Sequence, residues 1–325
     1  NMVNQEFDIV GIGNAIVDVI TDVNEEFLNK KELRKGLMSL VDLDSIKSLS
    51  EEIEIKANVS GGSVANSIVA LAQNNIKTAF IGKVGEDKVG NSFIKGLEKE
   101  KVIFANTAQS DESETGRCLV MVTPDAQRTM STYLGISQKL NASDINKEVI
   151  SHSKITYLEG YLWDLDDAQE AIKKAIKIAK DAGKIVAFSV SDVFCIERFR
   201  ESFLDLVNNE ANIIFANEEE IKSLYQKDNL EDCLKIIKQQ NKIFAITLGE
   251  KGAMIINKDK EIQIKAQKIE KLVDTTGAGD LFAAGFLLGF INERDLEYCG
   301  NEGVNFASKI IQIYGARLWT KSLYW

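Results

Sequence analysis

The chain has 325 residues, 45% hydrophobic and 27% charged, and its 39 Lys+Arg against 49 Asp+Glu give a formal net charge of −10. That length holds one large domain or a domain with an appendage, and the apolar share is enough for a sizeable core. The acidic balance argues against non-specific nucleic-acid binding and against an anionic membrane surface, so an anion site must be built from backbone dipoles and a few basic side chains. No apolar run approaches the ~18–20 residues needed to span a bilayer. Cys118, Cys195, Cys233 and Cys299 lie far apart with no CxxC pair, which points away from zinc and disulfides and towards a reducing cytoplasm. The single histidine, His152, sits between two serines, so multi-histidine metal chemistry and a Ser-His-Asp triad are nearly excluded.

In chain order, 7–12 reads as a first strand. It runs into Gly11-Ile12-Gly13-Asn14-Ala15-Ile16, which has the start of a dinucleotide fingerprint but carries Ile16 where the third glycine belongs. Asp18 follows inside an apolar stretch. Two readings stay open for it: a buried carboxylate supplied with donors by sugar hydroxyls, or an exposed Asp on a two-sided strand. Residues 16–44 are otherwise irregular and charged. Gly61-Gly62 precedes a helix expected over 63–74, with Asn66 one turn in, so its amide would face whatever the glycines touch; a plain turn and helix start is the alternative.

A strand is expected at 78–82, then a hairpin of 117–122 and 128–134 with the only proline, Pro124, in its turn. Beyond it, helices at 166–183, 196–208, 218–225 and 230–240 alternate with near-continuous apolar strands at 185–190, 212–216 and 243–247. This alternation predicts an α/β fold with a mainly parallel sheet. Residues 16–44 and 116–136 read as an inserted β-rich lid over the C-terminal edge of that sheet, leaving 1–15, 45–115 and 137–325 as the main domain.

Asp274-Thr-Thr-Gly277-Ala278-Gly279-Asp280 stands immediately before the apolar run 281–290. Small residues ahead of a helix leave backbone N–H groups free at its N-terminus, where the dipole favours an anion. A carboxylate closing the same turn places a base beside that anion, the arrangement phosphoryl transfer to a hydroxyl needs. An ordinary N-capped turn is the competing reading.

Taken together these motifs resemble the ribokinase-like (PfkB) family of carbohydrate and nucleoside kinases. The resemblance follows the chain in order: Gly13, Asn14 and Asp18; the diglycine with Asn66; residues 80–87 with Gly90; the Asn217–Glu220 pair; residues 247–252; and the 274–280 signature. No Walker A sequence is present. The resemblance implies a three-layer α/β/α fold with a small β lid, and transfer of the ATP γ-phosphoryl group with Mg2+. Carried over by position, Asp280 is the base and the backbone of Gly277, Ala278 and Gly279 the anion hole, with Arg128 as a lid arginine neutralising phosphate charge. Asn14, Asp18, Gly61, Gly62 and Asn66 hold the acceptor. Asn217, Thr247, Gly249, Gly252 and Asn305 line the ATP site, and Glu220 holds magnesium through water. Asn217 with Glu220 also makes a good capping box, and both readings hold together.

Within the family, 115–118 with Arg128, 157–162 and 189–203 look closer to adenosine kinases than to sugar kinases. A purine needs apolar and aromatic walls, for which Met130, Tyr133 and Tyr161 are candidates. Val64 and Glu159 depart from the family pattern, which bears on the acceptor rather than on the reaction. The expectation is therefore adenosine to AMP, with a sugar kinase on the same scaffold as the alternative. A monovalent cation near Asp274 and Thr276 stays open, as do monomer and homodimer.

Overall fold

The computed structural model describes residues 4–313 and 315–318. Among them the first strands are β1 Phe7–Ile12, β2 Ile16–Asp22, β3 Met38–Leu40, β4 Ala57–Gly61, β5 Thr78–Ile81, β6 Ile103–Phe104 and β7 Gly116–Val122. The rest are β8 Arg128–Tyr133, β9 Ser153–Glu159, β10 Ile185–Ser189, β11 Ile213–Asn217, β12 Ile243–Thr247, β13 Ala253–Asn257 and β14 Lys260–Ile264.

Nine strands form the main sheet in the order β14-β13-β12-β11-β10-β9-β1-β5-β6. From β12 to β6 every pairing is parallel, which suits strands apolar on both faces. The pleat sends alternate side chains to opposite faces, and two separate cores result. Ile155, Tyr157, Ala187, Ile213 and Phe215 pack under the helices Ser63–Ala72, Ala278–Ile291 and Leu296–Ile310. Val186, Phe188, Ile214 and Phe244 pack under Asp166–Asp181, Val193–Asp205, Glu218–Tyr225 and Leu230–Ile237. These are the three layers of the expected α/β/α fold. The edge hairpin β13–β14 is antiparallel and was not foreseen from the pattern.

Five strands make the smaller sheet, ordered β3-β8-β7-β2-β4. Two expectations are corrected here. Residues 16–44 are not irregular: they hold β2, a short helix at Glu25–Lys30 and β3. The lid does not end at residue 44 either, because β4 pairs with β2 and carries the small sheet on to Gly61. The turn around Pro124 closes through Ala126 N–H to Thr123 C=O (2.8 Å) and Thr123 N–H to Gln127 C=O (3.0 Å). No helix among the described residues is long and apolar enough to cross a membrane.

Candidate active site

The C-terminal ends of the parallel strands gather on one edge, where ligands of open α/β sheets bind. β1 delivers Gly13 and Asn14, β9 ends on Glu159, and β11 and β12 end on the register partners Asn217 and Thr247. Over this edge lies the helix Ala278–Ile291, whose N-cap is Gly277 with φ +80°. A Cβ at Gly277 would stand 2.6 Å from the Ala316 Cβ, so glycine is required both for the left-handed backbone and for the close approach of the C-terminal loop. The N–H groups of Gly279 and Asp280 find no acceptor among the described residues, and Gly279 faces open space. Free N–H groups at the start of a long helix are the chemistry an anion is received by.

Asp280 sits one turn into that helix and is held by a second helix N-terminus. Ser63, Asn66 and Ser67 lie on one face of Ser63–Ala72, the i, i+3, i+4 spacing. Ser63 Oγ donates to Asp280 Oδ1 (2.5 Å), Asn66 Nδ2 to Oδ2 (3.2 Å), and Ser67 Oγ to the Asp280 carbonyl (2.7 Å). Burial raises the Asp280 pKa above the usual carboxylate value, against the lowering pull of Ser63, Asn66 and Arg317. A raised pKa strengthens a base that is still ionised.

Arg317 reaches the same corner and was not singled out in the sequence. It is 3% exposed and donates to Asn66 Oδ1 and to the Ser60 carbonyl. Its guanidinium therefore fixes which way the Asn66 amide points, leaving Nδ2 for Asp280. A lone arginine in the loop 315–318 carries no motif; only its invariable charge could have marked it.

On the lid side, the diglycine is explained by the residues it was expected to serve. A Cβ at Gly61 would lie 2.7 Å from the Asp18 carboxylate, and one at Gly62 (φ +102°) would collide with the Asn14 carbonyl. Asp18 is driven up to about 6 by burial, with Arg317 and Arg128 opposing and Asp280 adding to the rise. Asn14 is 5% exposed, and its Oδ1 has no hydrogen-bond partner among the described residues. A ligand hydroxyl would satisfy it.

Register places Asp18, Cys118, Thr132 and Leu40 on one face of the small sheet, and Val120, Met130 and Met38 on the same face. With Ile16, Ile20 and Val59 this face is mostly apolar around Asp18, and Asp22 and Arg128 stand at its far end. Met38 and Leu40 are exposed on β3. Tyr133 pairs with Arg117 on the opposite face and bonds the Ser113 carbonyl, so its expected place in a purine wall is not supported. Arg128 Nε meets Asp274 Oδ2 at 3.0 Å, and the same carboxylate accepts from Thr276 N–H (2.9 Å) and Gly315 N–H (3.2 Å). Arg128 is thus tied to the first residue of the 274–280 loop. The carboxylate to which a monovalent cation was tied is already neutralised by it.

Tyr161 hydrogen-bonds the Ser191 carbonyl at 3.2 Å, and burial, with the charges of Asp192, Asp280 and Glu159, raises the pKa of its hydroxyl. Asn217 and Glu220 form the expected capping box, with Glu220 N–H to Asn217 Oδ1 at 2.8 Å and Asn217 N–H to Glu220 Oε1 at 3.0 Å. Among the described residues no group of three His, Cys, Asp or Glu could hold a metal. One carboxylate with a spare oxygen fits a magnesium that keeps its waters and takes its other ligands from phosphates. A Cβ at Gly249 (φ +61°) would meet only open space. Gly252 (φ +93°) is demanded instead by the Ile264 carbonyl packed against it, and Asn305 is half-buried on Leu296–Ile310.

A family model for pfkB family carbohydrate kinases matches residues 40–322. The adenosine kinase of Saccharomyces cerevisiae is 28% identical to this chain, over 94% of it and 95% of its own length. A probable sugar kinase from Rhizobium etli superimposes with a TM-score of 0.87 at 38% identity, covering 98% of this chain and 97% of that one. The adenosine kinase from Sinorhizobium meliloti does so with a TM-score of 0.87 at 36% identity, covering 98% of both.

Proposed function

The chain belongs to the pfkB family of carbohydrate kinases, and on that footing we propose that it transfers the γ-phosphoryl group of ATP to a primary hydroxyl of a nucleoside, adenosine first among them. The reaction class follows from the family: a phosphotransferase with an alcohol as acceptor. The acceptor rests on one observation, the lid face that surrounds Asp18 with apolar side chains. A free sugar offers hydroxyls in every direction and would leave that face unused. A nucleoside presents a flat base to Met130, Met38 and Tyr161 and its ribose hydroxyls to Asp18 and Asn14.

In this reading the acceptor hydroxyl stands against Asp280, which takes its proton as the new O–P bond forms and the bond to ADP breaks. The N–H groups of Gly279 and Asp280, exposed by the Gly277–Ala278 turn whose own Ala278 N–H is taken by the Thr275 carbonyl, hold the charge that spreads over the transferring phosphoryl oxygens. Arg128 adds positive charge from the lid. Magnesium, when bound, neutralises nucleotide phosphate charge, with Glu220 as the carboxylate to hold it through water. Closure of the small sheet excludes water, the competing acceptor.

A sugar kinase is the second reading, favoured by the 38% identity to the Rhizobium etli protein. Coupled ADP detection over a panel of adenosine, other nucleosides, ribose and fructose decides between them. Turnover is expected with adenosine; turnover with a free sugar and none with a nucleoside overturns the acceptor assignment.

A further inference from the structure

Glu159 is a buried carboxylate that the reaction above leaves without a task. It closes β9 and is 2% exposed. Its Oε2 accepts the Val64 N–H at 3.2 Å, and the Asn14 N–H also stabilises its charged form. The carboxylate lies so close over Gly13 that a Cβ there would overlap Oε2. Burial still dominates and pushes the group up to about 8.

The places it touches are the two points where the first half of the lid leaves and re-enters the main domain. Residues 13–15 carry the chain from β1 up into β2, and residues 62–64 bring it down from β4 into the helix Ser63–Ala72. The first link bears Asn14 and leads to Asp18. The second leads to Ser63 and Asn66, which hold Asp280. One side chain on the central strand of the main sheet therefore meets both crossings of the segment assigned to the acceptor, by packing over Gly13 and by a hydrogen bond from Val64 N–H.

We propose that Glu159 is the hinge clamp of the lid: a positioning residue that holds both crossings against the main sheet and so sets the height of Asp18 and Asn14 over Asp280. Its task is to accept backbone N–H groups, not to touch the acceptor. A hydrogen-bond acceptor of the same shape does the same work; an apolar side chain of similar volume fills the space and leaves the donors buried and unpaired. The kinetic half of this inference rests on the kinase reading; the hinge half does not.

The test compares wild type with Glu159→Met, Glu159→Gln and Gly13→Ala, the last displacing the carboxylate without altering it. Backbone amide exchange is followed in the free protein over peptides spanning 11–18 and 60–68, and KM is measured separately for acceptor and ATP. Glu159→Met and Gly13→Ala are expected to speed exchange at both crossings and to raise the acceptor KM about tenfold, the size of one buried donor left unpaired. The ATP KM should hold, and Glu159→Gln should restore both readouts most of the way. Wild-type exchange in Glu159→Met, or faster exchange at one crossing only, overturns the clamp. So does a Glu159→Gln variant with wild-type exchange and a KM as poor as that of Glu159→Met, because the side chain would then touch the acceptor itself. If no acceptor on the panel turns over, the exchange result still decides the hinge while the kinase reading falls separately.

Discussion

The corner around Asp280 and the lid face around Asp18 are built on opposite plans. At Asp280 the carboxylate has its donors, the Asn66 amide is pinned by Arg317, and the Ser67 hydroxyl locks the backbone. On the lid side Asn14 Oδ1 has no partner among the described residues, Met38 and Leu40 lie exposed, and Asp18 stands well above its ordinary pKa. On the proposed function, the groups assigned to the reaction are preorganised before any ligand arrives, whereas those assigned to the acceptor depend on a ligand to satisfy them. Preorganisation is what lowers the barrier, and an unsatisfied face is what selects the ligand.

The contrast breaks most sharply at the base. Asp280→Asn keeps the hydrogen-bonding shape and removes the proton acceptor, so kcat should fall by about 10²–10⁴-fold while ATP affinity, read by equilibrium titration, changes little. Arg128→Ala removes a charge from the anion loop and should lower kcat by on the order of 10²-fold, with folding unchanged by circular dichroism. Met130→Asp sets a charge among the apolar side chains of the lid face and should raise the adenosine KM about tenfold without moving the ATP KM. Equal losses for both substrates would show that the two regions do not divide the work.

The smallest effect is on stability. Glu159 is raised from 4.5 to about 8 in the folded protein, so the folded state holds a proton that the unfolded chain has lost across that window. Its contribution is fully present below 4.5 and disappears as pH rises through about 8. Asp280, Tyr157 and Tyr161 share its surroundings and remain in the variant. The melting temperature of Glu159→Gln relative to wild type should therefore climb with pH between those limits. A constant difference would mean the carboxyl is not raised.

The same division decided what the sequence disclosed. Gly277–Asp280 and Gly61–Asn66 were legible because each needs particular residues at fixed local spacing: glycine for a positive φ or a close approach, polar groups one helical turn apart. The buried strands were legible from runs such as 185–189, apolar on both faces. What stayed hidden depends on distant pairing. β3 is three residues long with every side chain exposed, so it has no alternation to detect. Tyr133 and Met130 could be assigned to faces only once β7 was paired with β2 and β8, since a shift of one residue exchanges the two faces. Arg317 acquires its role from Ser60 and Asn66, about 250 residues away in the chain.

The most direct measurement places adenosine and ribose in one vessel at equal concentration with ATP, magnesium and the protein, and identifies the phosphorylated product by mass spectrometry. AMP as the dominant product, absent with Asp280→Asn, is the result expected from an apolar lid face over a preset base. Ribose phosphate in place of AMP, or AMP formed equally well by Asp280→Asn, would contradict it.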